Sequence, residues 1–416
     1  MEQKEKSSKG GNDLSGENSH HLHTKKKQTK WRALLIANLA HFIHDGFTDM
    51  LYVFFPIWQS QWALSFGEVG LLKTLVSGSM ALFQLPSGNI ANRLGPIKLL
   101  VIGTSITSLA VLLFGWVTTP FLLGCLIIIG GTGSSVQHPL SSSIVSDAFS
   151  DIKARRSALS ALNFIGDIGK LALPAAAAFL ISAFHWQSAC RLLALFGLII
   201  VLILAFLASG IDLPDSNFPH GGNKPVKMKL LLGWNGYQAF WALSIIGIID
   251  GATRMAFLTF FPFLLYEKGA GVTMVGIALT LVFAGGATGK LACGVLATRV
   301  GILRSVILTE SFTAICVLGM IFLPLPGAFL LAPILGIALN GTSSVLYGSV
   351  PELVSEKERS QAFSIFYTAV LGSGAIAPFI YGLLSDLAGL KSTVMIIAFM
   401  VLLAIPLTVP LRGKFE

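Results

Sequence analysis

Apolar stretches of about twenty residues recur along this chain, separated by short polar loops, the first over 33–59 and the last over 391–412. A hydrocarbon core of ~30 Å takes about 20 apolar residues per helix. Twelve stretches of that length can be drawn. Lipid offers no partners for backbone N–H and C=O groups, so such segments must be helices or strands of a closed barrel. Runs this long lack the ~10-residue alternation of a barrel strand. The pattern therefore predicts an all-α membrane protein with twelve transmembrane helices. The longest polar break, 209–236, holds Pro214, Pro219, Gly221, Gly222 and Pro225 and leaves six spans on either side. The predicted layout is a disordered cytoplasmic tail over 1–31, a six-helix bundle over 32–208, a cytoplasmic linker over 209–236 and a second six-helix bundle over 237–416.

The two bundles repeat one another. DGFTDM at 45–50 matches DGATRM at 250–255, and each is followed by Phe-Phe-Pro, at 54–56 and 260–262. GNIANRLGPIK at 88–98 matches GVLATRVGILR at 294–304, and GTGSSV at 131–136 matches NGTSSV at 340–345. Two six-helix units that both start from the same side form a parallel repeat about an axis along the membrane normal, which puts a site between them near the midplane.

Composition agrees: 54% of residues are hydrophobic and 12% charged, where a soluble domain carries about 25% charged residues. The net charge of +9 is a topology signal and not a nucleic-acid footprint. With the N-terminus assigned to the cytoplasm, the loops on the opposite side hold only Lys268 and Lys391 of the 29 Lys and Arg. This is the positive-inside rule, and it predicts both termini in the cytoplasm. The tail carries His20, His21 and His23 in a Lys-rich context, read as a membrane-surface segment. The four cysteines lie in spans without a CxxC and read as small packing residues.

The loop after span 2 resembles the signature G-x-x-x-D-[RK]-x-G-[RK]-[RK] of the major facilitator superfamily. Gly88, Arg93 and Gly95 match it, Asn92 stands where the family has Asp, and Lys98 follows slightly late. Gly294, Arg299 and Gly301 repeat the pattern after span 8. The resemblance implies two pseudo-symmetric six-helix bundles, gating loops at these residues, and a cavity lined by spans 1, 4, 7 and 10. More narrowly, HFIHD in span 1 and GTGSSVQHP in span 4 resemble the fosmidomycin-resistance branch of exporters. Gly166, Gly169 and Pro174 match part of a glycine-rich motif of the family's antiporters.

The chemistry concentrates in HFIHDGFTDM at 41–50. On a helix His41, Asp45 and Asp49 recur every four residues, with His44 and Thr48 beside them, and are expected to share one face. Ionisable groups at this depth mark a bundle interior or a pathway. Asp45 is the first choice for a proton carrier, with His44, Asp49 and Asp250 in the same coupling set. A divalent metal on the His/Asp cluster is the alternative, but one helical face gives adjacent ligands and no closed shell; no metal is predicted. Span 7 carries Asp250 and Arg254. Two readings stand: an ion pair of Arg254 with Asp49 or Asp45 across the halves, and local neutralisation of Asp250 by Arg254. Lys170 can pair with Asp167 at i, i+3 or reach the cavity. Lys290, His138, Tyr347 and His41 complete the expected substrate-binding set with Arg254 and Lys170. Glu310 in span 9 is expected against a neighbouring helix. GGTGSS at 130–135 lacks the GK[ST] of a phosphate loop, and no GxSxG or HExxH occurs. An enzyme, ATP-driven transport and a cofactor therefore have no support.

The sequence thus predicts a proton-coupled secondary transporter of a small polar or anionic solute, working by alternating access in a bacterial inner membrane, and the superfamily resemblance implies a monomer. Export of a drug or metabolite is the favoured reading. Uptake of an organic acid or carboxylate metal chelate is the alternative, and divalent-metal transport or a membrane enzyme stands further off.

Overall fold

The computed structural model describes residues 13–209, 211, 237–355 and 358–412; the side chains of 13–27, Leu85 and Ser360 lie outside that description. The chain outside it includes most of the expected linker, with its prolines and glycines, and the side chains of His20, His21 and His23.

Thirteen α-helices follow one another among the described residues: α1 (Asp13–Trp62), α2 (Phe66–Leu94), α3 (Pro96–Phe114), α4 (Pro120–Ser134), α5 (Gln137–Ala148), α6 (Ile152–Ala183), α7 (Trp186–Ala208), α8 (Gln238–Glu267), α9 (Val272–Val300), α10 (Ile302–Phe322), α11 (Leu325–Ser349), α12 (Arg359–Ala388) and α13 (Leu390–Leu402). No strand occurs among them. The backbone of α1 is already helical from Asp13, so the tail expected to be disordered to residue 31 is helical over its second half.

Span 4 is built from two helices. The chain turns at Ser135 and Val136 between α4 and α5. Pro139 sits in the first turn of α5, where its missing N–H leaves no bond unmade. The last crossing likewise joins α13 to a 3-10 segment, Pro406–Leu411. Twelve crossings result. Eleven are long and apolar enough to cross a membrane by that measure. The helix that falls short is α1, because HFIHDGFTDM dilutes its apolarity. It is surrounded instead by α3, α5, α6 and α7, so its polar residues meet protein.

The loops after α2 and α9 are the same turn. Gly95 and Gly301 adopt φ 85° and 87°, and the chain re-enters a helix at once. A residue with a Cβ is strained there, which is the physical content of the repeated Gly. Arg93 and Arg299 each lie in the last turn of the preceding helix, where a cation meets the negative end of the helix dipole. Gly389, after α12, makes a third turn of this kind at φ 84°.

The first seven helices meet the last six along two seams, α2 on α12 and α6 on α9. Among the described residues, every hydrogen bond across the seams lies at the level of the central cavity or beyond it, away from the termini. Thr74 Oγ1 donates to Ala375 O (2.7 Å) and Thr280 Oγ1 to Leu171 O (3.1 Å). At the far end the Asp386 carboxylate accepts from the Phe66 and Gly67 amides at 2.7 and 2.8 Å. These belong to the exposed first turn of α2, which Ser65 and Glu68 also cap. Beside this joint, Phe66 packs edge-on against Phe260 and Phe263 of α8. The two sets of helices are therefore joined on the side of the cavity away from the termini.

Replacing Asp386 with Ala removes the acceptor for both amides. Loss of a helix-capping side chain shifts an equilibrium by about fivefold. Spin labels at the far ends of α2 and α12 should report a larger population of long distances in Asp386→Ala; an unchanged distribution would show that this joint does not hold the two helices together.

Candidate functional site

A cavity of about 330 Å³ lies between the two sets of helices. The first half lines it with Asp45, Asp49, Lys73, His138, Asp167 and Lys170, and the second half with Arg254 and Lys290. Other walls come from Tyr52, Phe283 and Tyr367.

Close packing of α1 on α6 creates its centre. A Cβ on Gly169 would strike the main chain of Phe42, and one on Gly166 would strike the His41 ring. The GDIGK stretch thus lets α6 approach α1 until Lys170 Nζ lies 3.2 Å from Asp45 Oδ2. His41 Nε2 is 3.1 Å from the same oxygen, and His138 Nε2 is 3.6 Å from Asp45 Oδ1. The His41 and His138 rings meet edge to face at 5.1 Å. Asp45 is buried, while His138 stands open to the cavity. A carboxylate this deep is tolerable because three donors surround it.

The second knot spans the halves. Lys290 Nζ of α9 lies 2.8 Å from both oxygens of Asp167 on α6. Lys170 Nζ is 3.9 Å from Asp167, so the two knots form one chain: His41/His138–Asp45–Lys170–Asp167–Lys290. The ion pair between the halves is therefore Asp167–Lys290. The expected pairing of Arg254 with Asp49 or Asp45 is not among the ion pairs of the described residues. Instead, Arg254 Nη1 donates to Ser343 Oγ at 3.3 Å.

Several sequence expectations separate here. His44 does not face the cavity. One residue is a 100° turn on a helix, so His44 leaves the face of Asp45 and enters the seam with α3 and α4. There Nε2 lies 3.0 Å from Thr104 Oγ1 and Nδ1 3.0 Å from Ser134 Oγ. Thr104 donates its own proton to Leu100 O, so it accepts from His44 Nε2–H and leaves Nδ1 to accept from Ser134. That is a satisfied core histidine. His41 backs Asp45 without lining the cavity. Tyr347 packs on Phe366 and Tyr367, and Tyr367 of α12 lines the cavity in its place. Asp250 is buried behind the wall with Oδ2 lacking a hydrogen-bond partner, and both oxygens of the fully buried Glu310 are in the same condition. The two are near enough to interact electrostatically, as is Arg254, while α10, which carries Glu310, packs chiefly on α11 and α13. Gly88 and Gly294 face open space and lie away from the cavity, as do Arg93 and Arg299.

Sequence reasoning missed Lys73. It is fully buried on α2, and its Nζ lies 4.6 Å from the centroid of the Tyr52 ring with no hydrogen-bond partner. The available signal was a lysine inside an apolar span. It has no opposite charge at i±3 or i±4, and Leu279 stands at the equivalent place of the second half.

One atom each of His41, Asp45 and His138 lie within 4.8 Å of one another, a spacing that could hold a metal ion. The Lys170 ammonium already shares Asp45 Oδ2 with His41. A divalent ion there would face an ammonium across one carboxylate, an arrangement that Coulomb repulsion opposes.

A family model described as Major Facilitator Superfamily matches residues 37–244 and again 243–414. The "Probable sulfoacetate transporter SauU" of Cupriavidus necator is 21% identical over 397 residues, covering 88% of this chain and 90% of that protein. Among solved structures, a bacterial homolog of the human lysosomal transporter Spinster, inward-facing and occupied, superposes with a TM-score of 0.76 at 17% identity. That match covers 92% of this chain and 96% of the other. The nucleoside transporter NupG superposes with a TM-score of 0.72 at 16% identity, covering 93% and 100%.

Removing Lys170 leaves Asp45 with histidines alone. Lys170→Met should lower stability by about 2 kcal/mol, less than a fully buried pair because Lys170 is partly exposed. The double variant Asp45→Asn/Lys170→Met should recover most of that loss, a coupling that thermal unfolding of the four members of the cycle measures. Additive effects would mean that the pair is not a stabilising contact.

Proposed function

Since the chain belongs to the major facilitator superfamily and is a multi-pass membrane transporter of a solute, we propose that it couples the movement of a small organic anion to protons by alternating access. The observation that carries this reading is the Asp45–Lys170 pair on the cavity wall. While Asp45 is ionised it occupies the Lys170 ammonium. A proton on Asp45 releases that ammonium to an anion, and a bound anion in turn favours the proton. The two ligands reinforce each other, which is reciprocal coupling. The exposed His138, touching Asp45 and open to the cavity, supplies a route for the proton. Asp167 and Lys290 join the halves on the terminal side of the aromatic joint and would have to part or re-pair as the halves rock. The similarity to a sulfoacetate transporter supports an acidic solute.

Mutual reinforcement favours proton and anion travelling together, hence uptake where the outside is acidic. Export is the second reading, favoured by the likeness of HFIHD and GTGSSVQHP to the fosmidomycin-resistance branch. In a bacterial inner membrane, the distribution of Lys and Arg supports both termini in the cytoplasm, and the sequence repeat supports two six-helix bundles over 32–208 and 237–416 as the moving bodies. The superfamily resemblance supports a monomer.

Purified protein in proteoliposomes tests the reading. An imposed pH gradient should drive accumulation of a small organic anion, with sulfoacetate as the first probe, and the sign of the effective gradient distinguishes uptake from export. Asp45→Asn should abolish gradient-driven accumulation while retaining exchange of labelled for unlabelled anion. Gradient-driven transport at the wild-type rate in Asp45→Asn would sink the coupling assignment, and transport of cations with no anion flux would sink the substrate class.

A further inference from the structure

Most charges of the cavity answer one another: Asp45 with Lys170, and Asp167 with Lys290. Three do not. Lys73 and Arg254 have no carboxylate within 4 Å among the described residues, and Asp49 has no ion-pair partner there. Resting on the reading of an organic-anion carrier, we propose that Lys73 of the first half and Arg254 of the second are the two prongs of the substrate site, and that they select a small doubly charged organic acid over a singly charged one.

The state of each prong supports this. The Lys73 ammonium rests on the Tyr52 ring, a contact that stabilises a cation and satisfies none of its three donors. The Tyr52 hydroxyl is also buried and without a hydrogen-bond partner. Unpaired donors at this depth are costly, and an anion drawn to Lys73 and Tyr52 would satisfy both. Arg254 spends one of its five donors on Ser343 and lines the same cavity. Asp49 and Tyr52 line that cavity beside them, so the four groups face one space. The two prongs come from opposite halves, so one molecule bearing two anionic groups would bridge them. A cavity of about 330 Å³ limits that molecule to a small one.

Charge balance sets the preference. With the paired groups cancelled, Lys73 and Arg254 stand against Asp49. A monoanion neutralises the patch while Asp49 is ionised. A dianion neutralises it when Asp49 carries a proton, so dianion binding should draw one more proton from solution than monoanion binding does. The groups acting on Asp49 are Lys170, Lys73, Asp45 and Asp167, with Tyr52 beside it. Those acting on Arg254 from behind are Asp250 and Glu310, with Tyr347 within its reach.

Isothermal titration of the purified full chain in detergent tests this, with sulfoacetate and malonate as dianions and acetate and methanesulfonate as monoanions. The wild type should bind the dianions about tenfold more tightly and take up one proton more per dianion than per monoanion, read from heats in buffers of different ionisation enthalpy. Lys73→Met and Arg254→Gln should each abolish the preference, Lys73→Arg should keep it, and Asp49→Asn should abolish the extra proton uptake of the dianions. Size-exclusion profiles confirm that the variants are folded. If Lys73→Met does not fold, Arg254→Gln, at a half-buried position, and Asp49→Asn decide the matter alone. Equal affinity for both classes in the wild type, or an undiminished preference in a folded Lys73 or Arg254 variant, overturns the two-prong site and leaves organic-anion transport standing. Binding of no anion at all overturns both.

Discussion

Lipid does not solvate an ion, so every charge held inside a membrane bundle has to be met by an opposite charge, a hydrogen bond or water. The interior of this protein follows from how each one is met. Asp45 is met by Lys170 and two histidines, and Asp167 by Lys290 from the other half. These answers require α1, α6 and α9 to come within side-chain reach, and Gly166 and Gly169 remove the volume that would hold the first two apart. The helix with the most ionisable residues is also the one encased by α3, α5, α6 and α7. Its position in the bundle and its low apolarity are the same fact: α1 can be polar because protein, not lipid, is its solvent.

Much of this was legible in the sequence. The number of spans follows from hydropathy, and the pairing of halves from the repeat. The stripe of His41, Asp45 and Asp49 follows from helical spacing, because these are local properties of the chain. What failed was rotation about a helix axis and choice of neighbour. Spacing placed His44 with Asp45, but a 100° step carried it into a seam where two hydroxyls were waiting. Register with His138 placed Tyr347 at the cavity, and its ring turned instead toward Phe366 while Tyr367 took the wall. The repeat suggested contact between equivalent positions of spans 1 and 7. The halves meet chiefly through α2 on α12 and α6 on α9, with a smaller contact of α1 on α8, and the cross-half ion pair formed at Asp167 and Lys290. Lys73 had no partner in sequence because its neighbours are an aromatic ring and a cavity, neither of which leaves a charge pattern.

The repeat also hides an inequality. The charged residues that the second half presents to the cavity are Arg254 and Lys290, both cations. Its acids, Asp250 and Glu310, are buried behind the wall. The first half presents acids and bases mixed. Two copies of one scaffold thus divide the labour of a site: one holds the titratable network and the other supplies fixed positive charge.

The joint between Asp386 and the first turn of α2 has a consequence for how those copies move. The Asp386 carboxylate and the Phe66 amide stand at the exposed end of the bundle. Parting them trades two hydrogen bonds for two to water, an exchange whose net cost is small. Yet the bonds are directional, and they form only when one carboxylate meets two adjacent amides. Such a contact holds weakly and aligns strictly, so the halves would return to one register each time they closed.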